Sequence, residues 1–448
     1  MRRNSGPRGS GVSRRHVLLG GLATLGGAAL GSALVVPDAR AAQKVKTKAR
    51  IVIAGAGAAG LTTASRLAAR LDGAEIILID KHRAQYYQPG FTLIAAGLKP
   101  TSYSINRTAD FVPRTATLIE EDVAEIDPVG NRVVTSSGKV VPYDFLVVTT
   151  GLALDYAAIE GMELSLIGRE GIGSVYAGPE AAQTTWRTMS AFADKGGVGL
   201  FSRPATEMKC AGAPLKYTFI TDDVLRKRGT RGKSEIHYAA QNKTLFSVPI
   251  VSERVRMLFE DRGITAHYDH VMRAIDPGRK IATFQTPGGP VEMGYDFTNV
   301  IPPMRAPAVV RNSPLPWQSG PFAADGWVEV SRTTLRHLRF NNVFAVGDVA
   351  GVPKGKTAAS VKWQAPVVVD HLLADIEGKT SNAIYDGYTS CPLITRIGQA
   401  MLVEFDYNNN LTPSFEGIIA PLEELWTSWV IKELALKPTY LAMLRGKA

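Results

Sequence analysis

A glycine-rich turn near the start of the chain constrains its fold more than any other feature. Residues 49–71 read ARIVIAGAGAAGLTTASRLAARL, an apolar run followed by glycines at 55, 57 and 60 and then a segment of helical periodicity. In such a strand–turn–helix the first glycine permits the turn, the second lets a pyrophosphate approach the backbone, and the third lets helix and strand pack closely. A second apolar strand ends at Asp80, where a carboxylate can accept hydrogen bonds from ribose hydroxyls. We therefore predict an α/β protein that opens with a dinucleotide-binding βαβ unit.

Two later segments indicate that the dinucleotide is FAD. Residues 145–149 form another hydrophobic strand, ending in Thr-Thr-Gly, and the segment NNVFAVGDVAG leads a strand into Gly347 and Asp348. Both look like the later segments of flavoproteins with two dinucleotide folds, in which the Asp contacts the ribityl chain. The FAD-binding domain is then discontinuous, built from residues 48–165 and 325–380. The residues expected to contact FAD are Gly55, Gly57, Ala58, Ala59, Gly60, Asp80, Lys81, Gln88, Val123, Thr150, Gly151, Gly347, Asp348, Lys356 and Thr357.

The region between these parts, residues 166–324, is predicted to be a second Rossmann-like domain. In flavoproteins that use NAD(P)H this domain carries its own GxGxxG sequence. Here the corresponding segment reads GGVGLFSRPATEMKCAGAP, with its glycines before or at the start of the strand. Arg203 and Pro204 follow the strand, so no glycine cradle remains for a second pyrophosphate. This pattern argues against NAD(P)H as the reductant.

The N-terminal residues 1–41 have the pattern of a twin-arginine signal peptide. Arg14 and Arg15 precede a Gly/Ala-rich apolar stretch, and Ala-Arg-Ala at 39–41 is typical of a cleavage site. An uncleaved membrane anchor is the alternative, although many glycines interrupt the apolar run. Export of a folded, cofactor-loaded protein predicts a periplasmic location at the outer face of the bacterial inner membrane.

Charge and histidine spacing exclude several kinds of site. The formal net charge is +10, but six arginines and one aspartate of the leader contribute half of it, and nothing forms a nucleic-acid-binding stripe. A modestly basic surface suits anionic substrates and anionic lipid head groups equally well. Histidines such as His82, His237 and His267 show no metal-ligand spacing, so we assign no metal.

Beyond these features the chain resembles sulfide:quinone oxidoreductases of the flavoprotein disulfide reductase superfamily, specifically the subgroup that includes the mitochondrial enzymes. The segments that carry the resemblance are IVIAGAGAAG, AQYYQPGFTLIAAG, KCAGAPLK, VIPPMRAP, DGWVEV, FAVGDVAGVPKGKTAA, YDGYTSCPL and VEFDY, in this order. It implies an FAD enzyme that oxidises hydrogen sulfide and passes two electrons to a membrane quinone. The family's redox cysteines fall on Cys210 and Cys391. The chain has no third cysteine, so FAD is expected to be non-covalent.

The resemblance also implies roles for individual residues. Hydrosulfide attacks a bridge between the cysteines by thiol–disulfide exchange, with Cys391 expected to be the flavin-proximal thiol and Cys210 the persulfide carrier. Lys209 and Lys216 could lower thiol pKa values, although a solvated surface charge is the simpler interpretation of Lys216. Lys356 is expected to stabilise negative charge on reduced flavin or quinone. The residues expected to line a quinone pocket are Phe405 and Tyr407, whose alternation is also common in strands of a core.

The C-terminal part, residues 381–448, carries the second cysteine and then an amphipathic segment. Apolar and aromatic residues at helical spacing alternate with lysines and arginines, which predicts one or two interfacial helices split at Pro438. They would attach the protein peripherally to the membrane, or instead pack on the body or on another subunit of a homo-oligomer. Two other activities remain open: an NADH:quinone oxidoreductase, and a sulfide dehydrogenase flavoprotein subunit that donates electrons to a cytochrome. Such subunits have a flavin-attaching cysteine near a position where Tyr86, Tyr87 and Gln88 stand here.

Overall fold

A five-stranded parallel sheet, the first sheet, forms the centre of one half of the molecule. The computed structural model describes residues 44–448, so the predicted signal peptide lies outside the described residues. In spatial order the strands are Val343–Ala345, Phe145–Val148, Arg50–Ala54, Glu75–Ile79 and Ala116–Ile119. Their nearly continuous apolar sequences fit strands that are covered on both faces. The helices Ala58–Arg70 and Ala358–Ile376 pack against each other and complete this core.

A second five-stranded parallel sheet organises the middle of the chain. In spatial order its strands are Ile172–Gly173, Phe297–Asn299, Gly197–Ser202, Ser234–Ala239 and Ile264–His267. Its helices are Pro179–Lys195, Ala213–Lys227 and Pro249–Arg262. Each helix has a proline in its first two positions, where a missing backbone N–H costs little. The chain leaves the first sheet after the strand Phe145–Val148, builds this second sheet, and returns to the first sheet at Val343–Ala345.

Smaller sheets, most of them antiparallel, flank the two parallel sheets. One three-stranded sheet contains Val123–Asp127, Arg132–Thr135 and Val140–Pro142, and the other contains Val271–Asp276, Ile281–Thr286 and Gly289–Gly294. One short pair, Val45–Lys46 with Leu71–Asp72, is parallel; two others, Ala84–Tyr86 with Ile105–Arg107 and Ala153–Leu154 with Met304–Arg305, are antiparallel. Single-turn helices are Phe91–Ile94 and Ala308–Arg311. A C-terminal hairpin, Thr389–Arg396 with Gln399–Phe405, lies against the helix Ala213–Lys227.

The C-terminal helix is continuous through Pro438, so the expected split at this residue is wrong. It runs as Trp426–Val430, a π-helical turn Ile431–Ala435, and Leu436–Leu444. Proline falls in the first turn after the widened π segment, where the loss of one backbone donor is tolerated. The end of the helix packs on the body, where Ser65 Oγ donates to the Leu444 carbonyl at 2.7 Å. Within residues 44–448, no helix combines the length and apolar character that spanning a bilayer requires.

Candidate active site

A long connection, residues 203–212, places Cys210 between the two sheets; we call it the cysteine loop. It joins the strand Gly197–Ser202 to the helix that begins at Ala213. Cys210 has a φ of +76°, uncommon for a residue with a side chain. Its N–H donates to the Lys356 carbonyl at 3.1 Å, and its carbonyl accepts from Ala213 N–H at 2.7 Å. These two bonds hold the cysteine beside the segment that follows Gly347 and Asp348.

The C-terminal hairpin brings Cys391 to the same point. Its side chain is buried, and a Cβ added to Gly212 would lie 2.4 Å from the Cys391 sulfur, so only glycine fits at the end of the cysteine loop. Both thiols are free in the structure, and they are hydrogen-bonded to each other. Two cysteines separated by most of the second half of the chain are therefore within reach of thiol–disulfide exchange.

The hydrogen bond between the two thiols makes the pair electrostatically unequal. The hydrogen bond with Cys391 lowers the pKa of Cys210 well below its usual value, burial opposes this, and Lys216 adds to it with Nζ 3.6 Å from the Cys210 sulfur. The hydrogen bond and burial raise the pKa of Cys391. Burial alone would lower the pKa of Lys216, but the charges of the two sulfurs outweigh it and raise the pKa. A solvated surface charge is thus the wrong interpretation of Lys216, which is 4% exposed.

Two further lysines surround the pair, and sequence reasoning missed one of them. Lys432, which the sequence placed among the basic residues of an amphipathic helix, is 2% exposed and donates to the Pro89 carbonyl at 2.8 Å. Burial, with Lys216 adding to it, lowers the pKa of Lys432 to about 7. Burial likewise lowers the pKa of Lys209 to about 8, and its Nζ lies 5.1 Å from the centre of the Tyr176 ring. No local pattern distinguishes Lys432, because its burial depends on contacts far away in sequence.

Lys356 is buried beside the second segment assigned to FAD. Its Nζ donates to the Asp348 carbonyl at 2.6 Å and to the Ala350 carbonyl at 3.1 Å, and lies 3.6 Å from the centre of the Trp327 ring. Burial lowers the pKa of Lys356 to about 8. Thr357 caps the following helix by accepting from Ser360 N–H. The ammonium group is thus fixed next to the backbone of the Gly-Asp segment.

The glycine turn, residues 55–57, fits a bound pyrophosphate. A Cβ on Gly60 would lie 1.9 Å from the Gly55 carbonyl oxygen, which explains why the helix can pack so close to the strand. A Cβ on Gly57 or on Gly151 would meet nothing within 4 Å, so the backbone is open there. Thr150 Oγ1 is buried and has no hydrogen-bond partner within residues 44–448. A polar ligand such as FAD would approach the open backbone and form a hydrogen bond with the buried Thr150 hydroxyl.

The other residues assigned to FAD lie around this turn with differing surroundings. Asp80 accepts from Ala56 N–H at 2.7 Å and from His82 N–H at 2.8 Å, so its carboxylate shapes the turn. A Cβ on Gly347 would lie 3.1 Å from the Ala59 Cβ, which joins the Gly-Asp segment to the start of the first helix at Ala58. Burial raises the pKa of Asp348. The remaining positions are an exposed Lys81 paired with Asp122, an exposed Gln88 and a buried Val123.

Phe405 and Tyr407 lie in different surroundings. Phe405 is on the Cys391 side of the C-terminal hairpin, with its ring centre 5.7 Å from that of Phe246. The Tyr407 hydroxyl donates to the Arg332 carbonyl at 2.9 Å, and its ring covers Gly387. Within residues 44–448, no group of three or more His, Cys, Asp or Glu side chains could hold a metal ion.

Comparisons with known proteins by sequence and by structure find related oxidoreductases. A family model of pyridine nucleotide-disulphide oxidoreductases matches residues 49–186. The mitochondrial sulfide:quinone oxidoreductase of Dictyostelium discoideum is 36% identical over 82% of this chain and 79% of its own length, and that of Mus musculus is 33% identical over 81% and 79%. The crystal structure of the Aquifex aeolicus sulfide:quinone oxidoreductase matches with a TM-score of 0.74 and 23% identity, covering 90% of this chain and 92% of that one. The predicted fold class is confirmed.

Proposed function

Since the chain belongs to the sulfide:quinone oxidoreductase family, we propose that it oxidises hydrogen sulfide and reduces a membrane quinone through a redox-active Cys210–Cys391 pair. The observation that carries the proposal is the contact between two thiols from distant parts of the chain, with the Lys216 ammonium 3.6 Å from one of them. A buried thiolate with a cation at this distance suits exchange with hydrosulfide.

FAD is the cofactor. We propose that it binds non-covalently, with its pyrophosphate at the glycine turn and its remaining contacts at Thr150, Gly151 and the Gly347-Asp348 segment. When bound, FAD supplies a two-electron carrier between sulfide and quinone. Lys356, held by the backbone of this segment, provides positive charge there.

The sulfur step begins with the two cysteines bridged. Hydrosulfide attacks the Cys391 sulfur and forms a new S–S bond, which leaves a persulfide on Cys391. The Cys391–Cys210 bond breaks, and its electron pair stays on Cys210 as a thiolate. This order reverses the roles expected from the sequence, because the contacts favour negative charge on Cys210 and a thiol of lower pKa leaves faster.

The pair must then lose one sulfur and two electrons to return to the bridged state. A second hydrosulfide or another thiolate attacks the outer sulfur of the persulfide, takes it away as a di- or polysulfide, and leaves Cys391 as a thiolate. Re-forming the bridge from two thiolates releases two electrons, which the quinone takes up with two protons. Lys216, whose pKa the sulfurs raise, keeps positive charge beside them while both are anionic.

We place this reaction at the outer face of a bacterial inner membrane. The twin-arginine leader supports export, whereas the two relatives described above are mitochondrial enzymes. Trp426 and Leu434 on the C-terminal helix are 67% and 58% exposed, as suits a helix that enters one leaflet. Phe405 and Tyr407 are proposed to line the path of the quinone.

An anaerobic titration tests the proposal. We expect sulfide to bleach the flavin absorbance of the holoenzyme, a short-chain ubiquinone to restore it, and NADH to leave it unchanged over the same time. Rapid bleaching by NADH would instead identify an NADH:quinone oxidoreductase. Bleaching by sulfide with reoxidation by cytochrome but not by quinone would identify a sulfide dehydrogenase flavoprotein.

A further inference from the structure

A small cavity at the start of the cysteine loop is lined by three arginines. It has a volume of about 60 Å³ and lies between the loop, the strand Val271–Asp276 and the segment before Arg305. Thr206 connects two of its walls, because its Oγ1 accepts from Met304 N–H at 2.8 Å. The arginines that line the cavity are Arg203, Arg273 and Arg305. Neither cysteine lines it, so the cavity is separate from the thiol pair.

Positive charge at this cavity is only partly balanced. Arg305 pairs with Asp155 at 3.0 Å and with Asp325 at 3.4 Å. Arg203 and Arg273 have no ion pair within the part of the chain that the structure describes, and none of the lining residues is acidic. The Nε of Arg203 is buried and has no hydrogen-bond partner among the described residues. A buried charged donor without a partner is costly, which points to an anion that completes it.

The volume selects a compact ligand. One water molecule needs roughly 10–15 Å³ of such space, so the cavity holds on the order of four waters. A ligand of four or five heavy atoms fits, whereas a dinucleotide does not. Guanidinium groups present paired N–H donors that match the oxygens of oxyanions. Sulfate, sulfite, thiosulfate and phosphate have both the size and the acceptors.

The position in the fold agrees with a binding site. The cavity lies where the strand Gly197–Ser202 ends, and ligands of open α/β sheets bind outside the carboxyl ends of the strands. We propose that this cavity binds a compact divalent oxyanion of the sulfate, thiosulfate or phosphate type, held by Arg203, Arg273 and Arg305. The site would be additional to the sulfide and quinone sites and does not depend on the reaction proposed for the cysteines.

Isothermal titration of the FAD-loaded protein with sulfate, thiosulfate and phosphate, at constant ionic strength in chloride, tests this proposal. Sulfate and phosphate do not react with disulfides, so their binding reports the cavity alone. We expect saturable binding, weakened about tenfold or more by Arg203→Gln and by Arg273→Gln. Arg279→Gln is the matched control, because Arg279 is an exposed arginine of the neighbouring turn, paired with Glu292, and should leave affinity within about twofold.

The relative affinities identify the natural ligand class. Tighter binding of sulfate and thiosulfate than of phosphate would indicate a sulfur oxyanion, and the reverse would indicate a phosphate. The proposal is overturned by the absence of saturable binding of all three anions, or by an Arg273→Gln variant that binds like the unmodified protein. Arg273 is exposed, so its replacement leaves the fold intact. The Arg273→Gln variant therefore tests anion binding even if Arg203→Gln unfolds.

Discussion

Two strand-to-helix connections, one in each parallel sheet, occupy comparable places and differ in what they hold. In the first sheet the strand ends at Ala54 and the helix begins at Ala58, with only the glycine turn between them. In the second sheet the strand ends at Ser202 and the helix begins at Ala213, with the cysteine loop between them. The backbone of the first connection is open at Gly57, whereas the second connection places the thiol of Cys210 beside Cys391.

A glycine is required near both helix starts, but for different reasons. Gly60 has no room for a side chain because an added Cβ would lie 1.9 Å from the Gly55 carbonyl oxygen, which belongs to the same turn. Gly212 has none because an added Cβ would lie 2.4 Å from the Cys391 sulfur, which belongs to the C-terminal hairpin. The shape of the first connection is therefore set by neighbouring residues, and that of the second depends on residues far along the chain.

The largest loss of activity is expected when either thiol of the cysteine pair is replaced. Cys210→Ser and Cys391→Ser should each lower sulfide-dependent quinone reduction by a factor of about 10³ or more, since a bridge needs both sulfurs. The FAD content of both variants, measured by absorbance, should equal that of the unmodified protein. A variant that retains a tenth of the turnover would contradict the paired mechanism.

Substitutions in the first connection should weaken FAD binding, which the cysteine substitutions should leave unchanged. Gly57→Ala adds a methyl group to an open backbone, so the fold should persist while FAD affinity falls roughly 10–100-fold by flavin-fluorescence titration. Gly60→Ala should instead destabilise the fold by about 1–3 kcal/mol, because its methyl group meets backbone. Gly232→Ala, at another open position, serves as the control for both. Unchanged FAD affinity in Gly57→Ala would contradict the proposal that the pyrophosphate of FAD binds at this turn.

Replacement of Lys216 tests how strongly its charge lowers the pKa of Cys210. Lys216→Gln removes the cation beside Cys210, so the thiolate should form only at higher pH and turnover near neutrality should fall about 10–100-fold. The acidic limb of the pH–rate profile should move to higher pH, which a merely structural effect would not cause. Lys227→Gln, on the exposed side of the same helix and paired with Asp223 at 2.7 Å, should leave the profile unchanged.

Lys432 predicts a pH dependence of stability. Its pKa of about 7 lies below the usual 10.5 because of burial, so between these values the unfolded chain holds a proton that the folded chain lacks. The stability of the unmodified protein relative to Lys432→Met should therefore rise with pH above 7, by up to about 1.4 kcal/mol per pH unit. Urea unfolding at several pH values between neutrality and mild alkalinity measures this difference. A difference that does not change with pH would contradict this expectation.

The smallest effects are expected at the two aromatic residues of the hairpin end. Phe405→Leu should raise the KM for quinone severalfold, about 3–10-fold, with little change in the KM for sulfide, because the stacking surface is lost. Tyr407→Phe removes only the hydrogen bond to the Arg332 carbonyl and should change either constant by less than about threefold. Steady-state kinetics with both substrates varied would separate these effects, and a Phe405→Leu variant altered only toward sulfide would exclude it from the quinone path.

The first connection could be predicted from sequence because every residue that shapes it lies within a few positions of the glycines. That the two cysteines lie together could also be predicted, but only by resemblance to a family. Their environment could not, because Lys432 comes from the last helix and the Cys210 N–H bonds to Lys356 from the other sheet. The continuity of the helix through Pro438 was missed because a π-helical turn precedes it and has no sequence signature.

The central claim is that sulfide reacts at the cysteine pair, and one measurement tests it directly. One equivalent of sulfide is added anaerobically to the oxidised holoenzyme, free thiols are alkylated, and the peptides containing Cys210 and Cys391 are weighed by mass spectrometry. We expect one extra sulfur atom on Cys391, an alkylated Cys210 without it, and loss of the bridge. Bleaching of the flavin with the bridge intact and no added sulfur on either peptide would contradict the account.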